Sequence, residues 1–306
     1  MQARARARGN EVIIFDPSAF PGDAGISFRI ADGLFESELF DAGTRFGSDW
    51  PEVVWLRRAN PPAVSLDEYE IEDRQSILSD IHVFWDWALG ALAPQARWIN
   101  RYRDHVNASN KIRQYMTARQ LGIPIPDTLF SNDAASLEDF AGAGTLCKPI
   151  ARVAPKSAKD VKAARFVTRG ELGIDSPLSK EPLFLQRCVD KRAELRVHVF
   201  GTFVSTVMMT PDVRAPARVD WNFERDELRF EATVLPTDLS SRLIQLARCL
   251  GVEFCTVDLA LDRDGSFVFL ELNQMGQFLW IEDRCPEAGV LEAFVSFILG
   301  GGRHGA

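Results

Sequence analysis

The sequence predicts a mixed α/β and α+β protein built from two or three packed units around a cleft, and three observations predict it. At 306 residues the chain exceeds the usual size of one domain, so several units sharing an interface are expected. The first 100 or so residues alternate β-rich runs with one long helical stripe, as an open α/β layer does. From residue 107 the order becomes helix, extended proline segment, strand, short helix and strand, which reads as a compact α+β unit.

The N-terminal stretch Met1–Arg8 is basic, but the apolar run after it, Val12–Phe15, is too short for a signal-peptide core. It is expected to be a disordered arm, with Val12–Phe15 as a first strand and Val53–Leu56 as a second. Leu66 to Leu92 carries Ile71, Ile77, Leu78, Ile81, Phe84, Trp85, Leu89 and Leu92 at helical spacing, and its cluster Phe84-Trp85-Asp86-Trp87 is assigned to packing between layers. Asn107 and Ser109 offer caps to a helix running through Ile112, Tyr115 and Met116 to Gly122.

The two prolines of Ile123–Pro126 force extended backbone, because each disfavours helix at itself and at the residue before it. Strands follow at Thr128–Phe130 and Thr145–Lys148, with Ser131 or Asn132 capping a short helix between them. Residues 151 to 180 lack periodicity and read as an exposed loop that could serve as a lid. Leu183–Val189 is a strand; Leu195–Phe200 and Phe203–Met209 form a hairpin about Gly201-Thr202. A proline-broken loop at 211–218 precedes a helix from Leu239 to Leu250.

Composition excludes several function classes. The formal net charge of -8 argues against a phosphate-backbone binder, which needs a basic face, so no nucleic-acid partner is expected. No apolar run approaches the roughly 20 residues a membrane-spanning helix requires, so no membrane partner is expected either. The five cysteines contain no C-x-x-C pair, and reduced thiols in a soluble cytoplasmic protein are the simplest reading. The four histidines have no ligand spacing, which leaves a histidine metal site or a Ser/His triad without support.

The segment that carries chemistry lies near the C-terminus. Phe254–Leu261 and Phe267–Asn273 are β-rich runs separated by Asp262–Gly265, where Asp264-Gly265 is a two-residue hairpin signal. That turn places Asp258 directly opposite Glu271, with Asn273 on the same face and diagonal to Asp258. Two carboxylates with Cβ atoms about 5 Å apart repel unless a cation or a neighbouring base intervenes. All-oxygen ligation with few protein ligands suits Mg²⁺ completed by phosphates and water, while a raised carboxyl pKa or a neutralising arginine is the alternative.

Three basic residues bear on that choice. Lys148 ends an apolar strand between Cys147 and Pro149, an unusual place for a solvated lysine. Lys111, near a helix start, reads by itself as a surface residue, and Arg196 as a surface ion pair with Glu194.

The ordered strings Asn110-Lys111-Ile112, Ala118–Ile123, Pro126-Asp127-Thr128, Lys148-Pro149, Gln186–Val189, Glu194-Leu195-Arg196, Val257-Asp258-Leu259 and Phe269–Asn273 resemble the ATP-grasp superfamily, in particular RimK-like ligases. Val54–Arg58, Trp98-Ile99-Asn100, Val219-Asp220-Trp221 and Gly276–Glu282 extend the likeness to microviridin-type peptide macrocyclases, the graspetide synthetases. The resemblance implies an ATP-grasp fold of three subdomains with ATP held between the central and C-terminal units. Their expected bounds are 1–106, 107–190 and 191–306.

It further implies that Lys111 and Lys148 contact phosphate, and that Gln186 with the backbone of Arg187, Cys188 and Val189 forms the adenine edge. Asp190 is a ribose candidate, Arg196 would face the transferred phosphate with Lys148, and Asp258, Glu271 and Asn273 would hold two magnesium ions, Glu271 bridging. The implied partner is a precursor peptide with a leader and an acidic core, for which Arg187, Lys191 and Arg192 form a candidate basic surface; a homodimer is compatible. Two departures stand out: Pro149–Pro155 lacks lid glycines, and Asn222 stands where these macrocyclases often carry arginine. The rival readings are a RimK-like ligase adding amino acids to a peptide or small acid, and a non-catalytic scaffold that binds peptide or nucleotide.

Overall fold

Two of the three arginines of the N-terminal stretch pair with carboxylates, and the third, Arg6, bonds the Val12 carbonyl. In the computed structural model, which describes residues 1–20, 22–47, 49–57, 60–150, 164–172, 181–211 and 228–300, Gln2–Ala7 forms a short helix, α1. Arg4 and Arg8 pair with Glu292 near the other end of the chain, and Arg4 also reaches Glu282. The arm expected to be disordered is a helix, held by these exposed ion pairs and by the packing of Met1 and Ala5.

Three strands follow in an antiparallel meander: β1 (Ala24–Ala31), β2 (Leu34–Asp41) and β3 (Thr44–Gly47). Both hairpins use two-residue turns, Asp32-Gly33 with φ of 52° and 77° and Ala42-Gly43 with φ of 46° and 82°. Positive φ at both central positions matches the turn to the strands' twist, and glycine supplies it at the second position without strain. The strand expected at Val12–Phe15 does not form, and Ile14 there is exposed. β4 (Val53–Trp55) instead pairs in parallel with β5 (Arg97–Ile99) across the crossover helix α2 (Ile71–Ala91). That helix buries Trp85, Ala88 and Leu89 against Leu56 and Trp98, whereas Trp87 is 69% exposed, so only part of the aromatic cluster packs.

The helix expected from Asn107 to Gly122 is two: α3 (Tyr102–Ala108) and α4 (Lys111–Gln120). The cap belongs to Asn110, whose side-chain oxygen accepts from the Arg113 N–H at 3.1 Å, rather than to Asn107 or Ser109. Past the extended prolines come β6 (Thr128–Ser131), α5 (Ala134–Phe140, capped by Asp133), β7 (Thr145–Lys148), β8 (Arg165–Phe166) and β9 (Leu183–Arg187). They make an antiparallel sheet in the order β6-β9-β7-β8. Most of the loop expected at 151–180, together with Asp220-Trp221-Asn222 and Arg58, lies outside the described residues.

The last sheet is antiparallel, ordered β12-β11-β10-β13-β14, from β10 (Lys191–Phe200), β11 (Phe203–Pro211), β12 (Leu228–Thr233), β13 (Phe254–Asp262) and β14 (Phe267–Asn273). Because side chains alternate, Leu195, Val197, Val199, Val257, Leu259 and Leu272 share one face. They pack on Leu243, Leu246 and Ala247 of α6 (Thr237–Cys249) and on Tyr115 and Ala118 of α4. The opposite face begins with Phe200 and Phe254, covered by Phe278 and by Phe294 of α8 (Val290–Ile298), with α7 (Leu279–Arg284) alongside. Farther along the strands that same face turns polar, and there the candidate site lies.

Candidate active site

The β13–β14 hairpin pairs Asp258 with Glu271 and Thr256 with Asn273, as the sequence predicts, but by a different route. Its turn has three residues, Arg263-Asp264-Gly265, because the Asp262 N–H bonds the Ser266 carbonyl at 3.0 Å and Leu261 pairs with Phe267. Gly265 takes φ 88°, and the Ser266 N–H bonds the Asp262 carboxylate at 2.7 Å. This turn alone would set Asp258 opposite Leu270. A bulge between Asp258 and Leu259 leaves Leu270 as the extra residue and returns Glu271 to face Asp258.

Carrying the register across the sheet gives two polar rows. Val207, Arg196, Asp258 and Glu271 lie in one, and Ser205, His198, Thr256 and Asn273 in the next. The Arg196 guanidinium, 7% exposed, stands 3.5 Å from Asp258 Oδ1 and 5.3 Å from the centroid of the Trp280 ring. Its Nε is buried with no hydrogen-bond partner among the described residues. Arg196 is thus no surface partner of Glu194, which pairs with Lys191 instead. His198 is fully enclosed, and burial first, then the Arg196 charge, pushes its pKa down to about 3. It is neutral at physiological pH.

One face of α4 meets the edge of β14 residue by residue, at the i, i+3, i+4 spacing that puts side chains together on a helix. Lys111 Nζ lies 2.9 Å from Glu271 Oε2, both side chains 19% exposed, which corrects its reading as a solvated surface lysine. Gln114 acts as a substitute strand: its Nε2 donates to the Leu272 carbonyl at 2.9 Å and its Oε1 accepts from the Leu272 N–H at 3.0 Å. Tyr115 donates its hydroxyl proton to the Leu270 carbonyl at 2.5 Å, and burial raises the pKa of its phenol. The edge strand that bears Glu271 is thereby closed by helix side chains.

The facing sheet contributes Lys148, at the end of β7. Its Nζ donates to Gln186 Oε1 at 2.7 Å and lies 5.6 Å from the Phe184 ring centroid. The Gln186 side chain is 1% exposed and turned inward, donating to Tyr115 Oη at 2.8 Å and Thr128 Oγ1 at 3.0 Å. The N–H groups of Arg187 and Cys188 bond the carbonyls of Asp127 and Gly144 at 2.9 and 2.8 Å. Those two N–H groups are thus engaged within the fold. Cys188 is half-buried, and burial raises its thiol pKa against the opposing charges of Lys191 and Lys148.

Other predicted residues do not converge. The Arg187 guanidinium bonds Thr145 Oγ1 at 2.6 Å and stacks over Phe140 at 4.9 Å. Asp190 pairs with Arg263 at 2.7 Å in solvent. Of the candidate basic surface, Lys191 is paired with Glu194.

The donor set fits a hard divalent cation. Asp258, Glu271 and Asn273 offer two carboxylates and an amide oxygen, and no cluster of three or more His, Cys, Asp and Glu occurs among the described residues. Asn273 Nδ2 now donates to Glu271 Oε1 at 3.1 Å, so ligation requires the amide to turn its oxygen inward. Arg196 and Lys111 neutralise the two acids here, the alternative to a metal that the sequence left open. Asp258, Glu271 and Asn273 would hold Mg²⁺, which would supply positive charge against a phosphate.

Fold and site together define a class, the ATP-grasp fold. The chain is similar over 97% of its length to macrocyclase MdnC of Microcystis aeruginosa MRC bound with precursor peptide MdnA, at 22% identity, 94% coverage of that chain and a TM-score of 0.83. It is similar over 98% of its length to a RiPP-associated ATP-grasp ligase of Chryseobacterium gregarium in complex with ADP and a leader and core peptide, at 20% identity, 92% coverage and a TM-score of 0.82. ATP-grasp ligase PsnB, complexed with minimal precursor, Mg and ADP, is 22% identical, with 96% of this chain and 92% of that chain covered and a TM-score of 0.69. N-acetylaspartylglutamate synthase A of Homo sapiens is 25% identical over 197 residues, 62% of this chain. The chain spans 49% of that curated relative. No protein-family model matches the chain.

Sequence reasoning gave no role to Gln114, His198, Thr256 or Trp280, and read Tyr115 only as a residue along a helix. The i, i+3, i+4 pattern Lys111, Gln114, Tyr115 was the available signal. A polar residue flanked on one helix face by a charge and a phenol marks a face that meets backbone rather than oil.

Proposed function

We propose that the chain is an ATP- and Mg²⁺-dependent ligase that activates Asp or Glu side chains of a ribosomally made precursor peptide as acyl phosphates. A Ser, Thr or Lys side chain of the same peptide then captures each one, closing an ester or amide ring with release of ADP and phosphate. The observation that carries this reading is the row Arg196–Asp258–Glu271 with Lys111 at its edge, an acidic pair on one sheet whose charges are matched by bases. The likeness to peptide-bound macrocyclases over nearly the whole chain supports the substrate class.

Units 107–190 and 191–306 would be the two jaws, with Lys148 on one and the acids on the other. Bound Mg²⁺ would supply charge neutralisation for the phosphates. Lys148 and Arg196 would draw negative charge off the transferred phosphoryl group, and the enclosed, neutral His198 keeps the neighbouring row free of competing charge. Lys111 and Arg196 hold Asp258 and Glu271 against mutual repulsion until the cation arrives. Asp258, Glu271 and Asn273 would hold the Mg²⁺.

Incubation with ATP, Mg²⁺ and the peptides encoded beside the gene, followed by weighing of the products, tests the proposal. Loss of one water mass per ring is the expected outcome. Gain of amino-acid residue masses would replace it with a RimK-like ligase, and unchanged peptides without ADP release would replace it with a non-catalytic scaffold.

A further inference from the structure

We infer that Tyr115 is a positioning residue that sets Lys148 and Glu271 jointly, through a buried hydrogen-bond chain running from one sheet to the other. The inference rests on the nucleotide-site reading above and deepens it. Lys148 Nζ donates to Gln186 Oε1 at 2.7 Å, Gln186 Nε2 donates to Tyr115 Oη at 2.8 Å, and Tyr115 donates to the Leu270 carbonyl at 2.5 Å. Leu270 is the bulged residue immediately before Glu271.

Chemistry fixes the direction of every bond. An ammonium can only donate, so Gln186 must turn its oxygen to Lys148 and its amide nitrogen to Tyr115. The phenol, accepting there, has one proton left, and Leu270 receives it. Thr128 Oγ1 accepts the second Gln186 N–H at 3.0 Å, which pins the amide against flipping. Tyr115 and Gln186 are 5% and 1% exposed, so bulk water cannot readily substitute.

The two ends of this chain matter because each lies at a proposed contact with the nucleotide. Leu270 has no cross-strand partner in the register, and its carbonyl direction is coupled to the bulge that aims Glu271 at Asp258. Loss of the Tyr115 hydroxyl leaves that carbonyl and one Gln186 N–H without their shared partner, so Gln186 is held on that side by Thr128 alone and its grip on Lys148 loosens. One helix residue thus ties the phosphate-side lysine of one jaw to the metal-side acid of the other.

The test is a double-substitution cycle on the full chain with Mg·ADP as the probe. Tyr115→Phe should weaken Mg·ADP binding about 10-fold by calorimetry, and adding it to Lys148→Ala should weaken binding by clearly less than the product of the single effects. A second arm needs no nucleotide: acetylation of Lys148 by an activated ester, read by peptide mass mapping, should speed up several-fold in Tyr115→Phe. Leu243→Ala, which loosens the same core from α6 without touching the chain, should leave that rate unchanged once its stability loss is matched. Multiplicative binding effects, or a wild-type acetylation rate in Tyr115→Phe, would overturn the inference. If the wild-type protein fails to bind Mg·ADP, the nucleotide-site reading falls, and the acetylation arm alone decides the fate of the chain.

Discussion

The two faces of the C-terminal sheet are made by the same strands and could hardly differ more. On one, Leu195, Val197, Val257, Leu259 and Leu272 are essentially sealed against α4 and α6. On the other, at the intervening positions, stand Arg196, His198, Thr256, Asp258, Glu271 and Asn273. The period of two lets one strand anchor the core and present chemistry at once. The lesson is that the first face should govern stability and the second should govern ligand handling, with little exchange between them.

The sharpest way to break that division is on the polar face. Glu271→Gln removes a charge but no core volume, so ADP release with a peptide substrate should fall about 1,000-fold, some 4 kcal/mol of transition-state stabilisation. Its melting temperature should stay within a few degrees of wild type; full activity or a collapsed fold would each contradict the division. On the apolar face, Leu259→Ala should cost about 3 kcal/mol of stability in denaturant melts through lost burial and a cavity. Below its melting range this variant should bind Mg·ADP as wild type does.

A third probe crosses the two faces through pH. Burial pushes the pKa of His198 to about 3, with help from Arg196, and burial pushes that of His105 to about 4, both from 6.5. Because the folded values are depressed, the unfolded chain takes up the protons first. The stability these neutral rings permit is whole above pH 6.5 and declines as pH falls toward 4. The slope should be about 1.4 kcal/mol per pH unit for each histidine. His198→Phe should therefore remove about half of the loss between pH 6 and pH 5 in denaturant melts, and an unchanged slope would place the titration elsewhere.

Much of this was legible in the sequence where local rules act alone. The Gly201-Thr202 hairpin, a strand at Val53–Leu56 and the helix before β13 follow from turn chemistry and periodicity, whereas the parallel pairing of that strand with Arg97–Ile99 does not. The Asp258–Glu271 pairing was also legible, though a three-residue turn and a bulge offset each other to produce it. The meander of β1 to β3 was missed although Asp32-Gly33 carries the same hairpin signal and Ile26, Phe28 and Ile30 alternate with Ser27 and Arg29 before it. Val12–Phe15 failed as a strand because four apolar residues without a partner strand have nothing to bond. The docking of α1, the inward turn of Gln186 and the Gln114 bridge to β14 depend on tertiary neighbours, which no local window contains.

The central claim is that the polar face of this sheet, with Lys148 opposite, is a Mg·nucleotide site. Calorimetric titration of the wild-type chain with ADP, once with Mg²⁺ and once with EDTA, tests it most directly. Binding that appears with Mg²⁺ and is lost in EDTA, and that Glu271→Gln removes, is the predicted result. Binding that ignores both the cation and Glu271, or no binding at all, would contradict it.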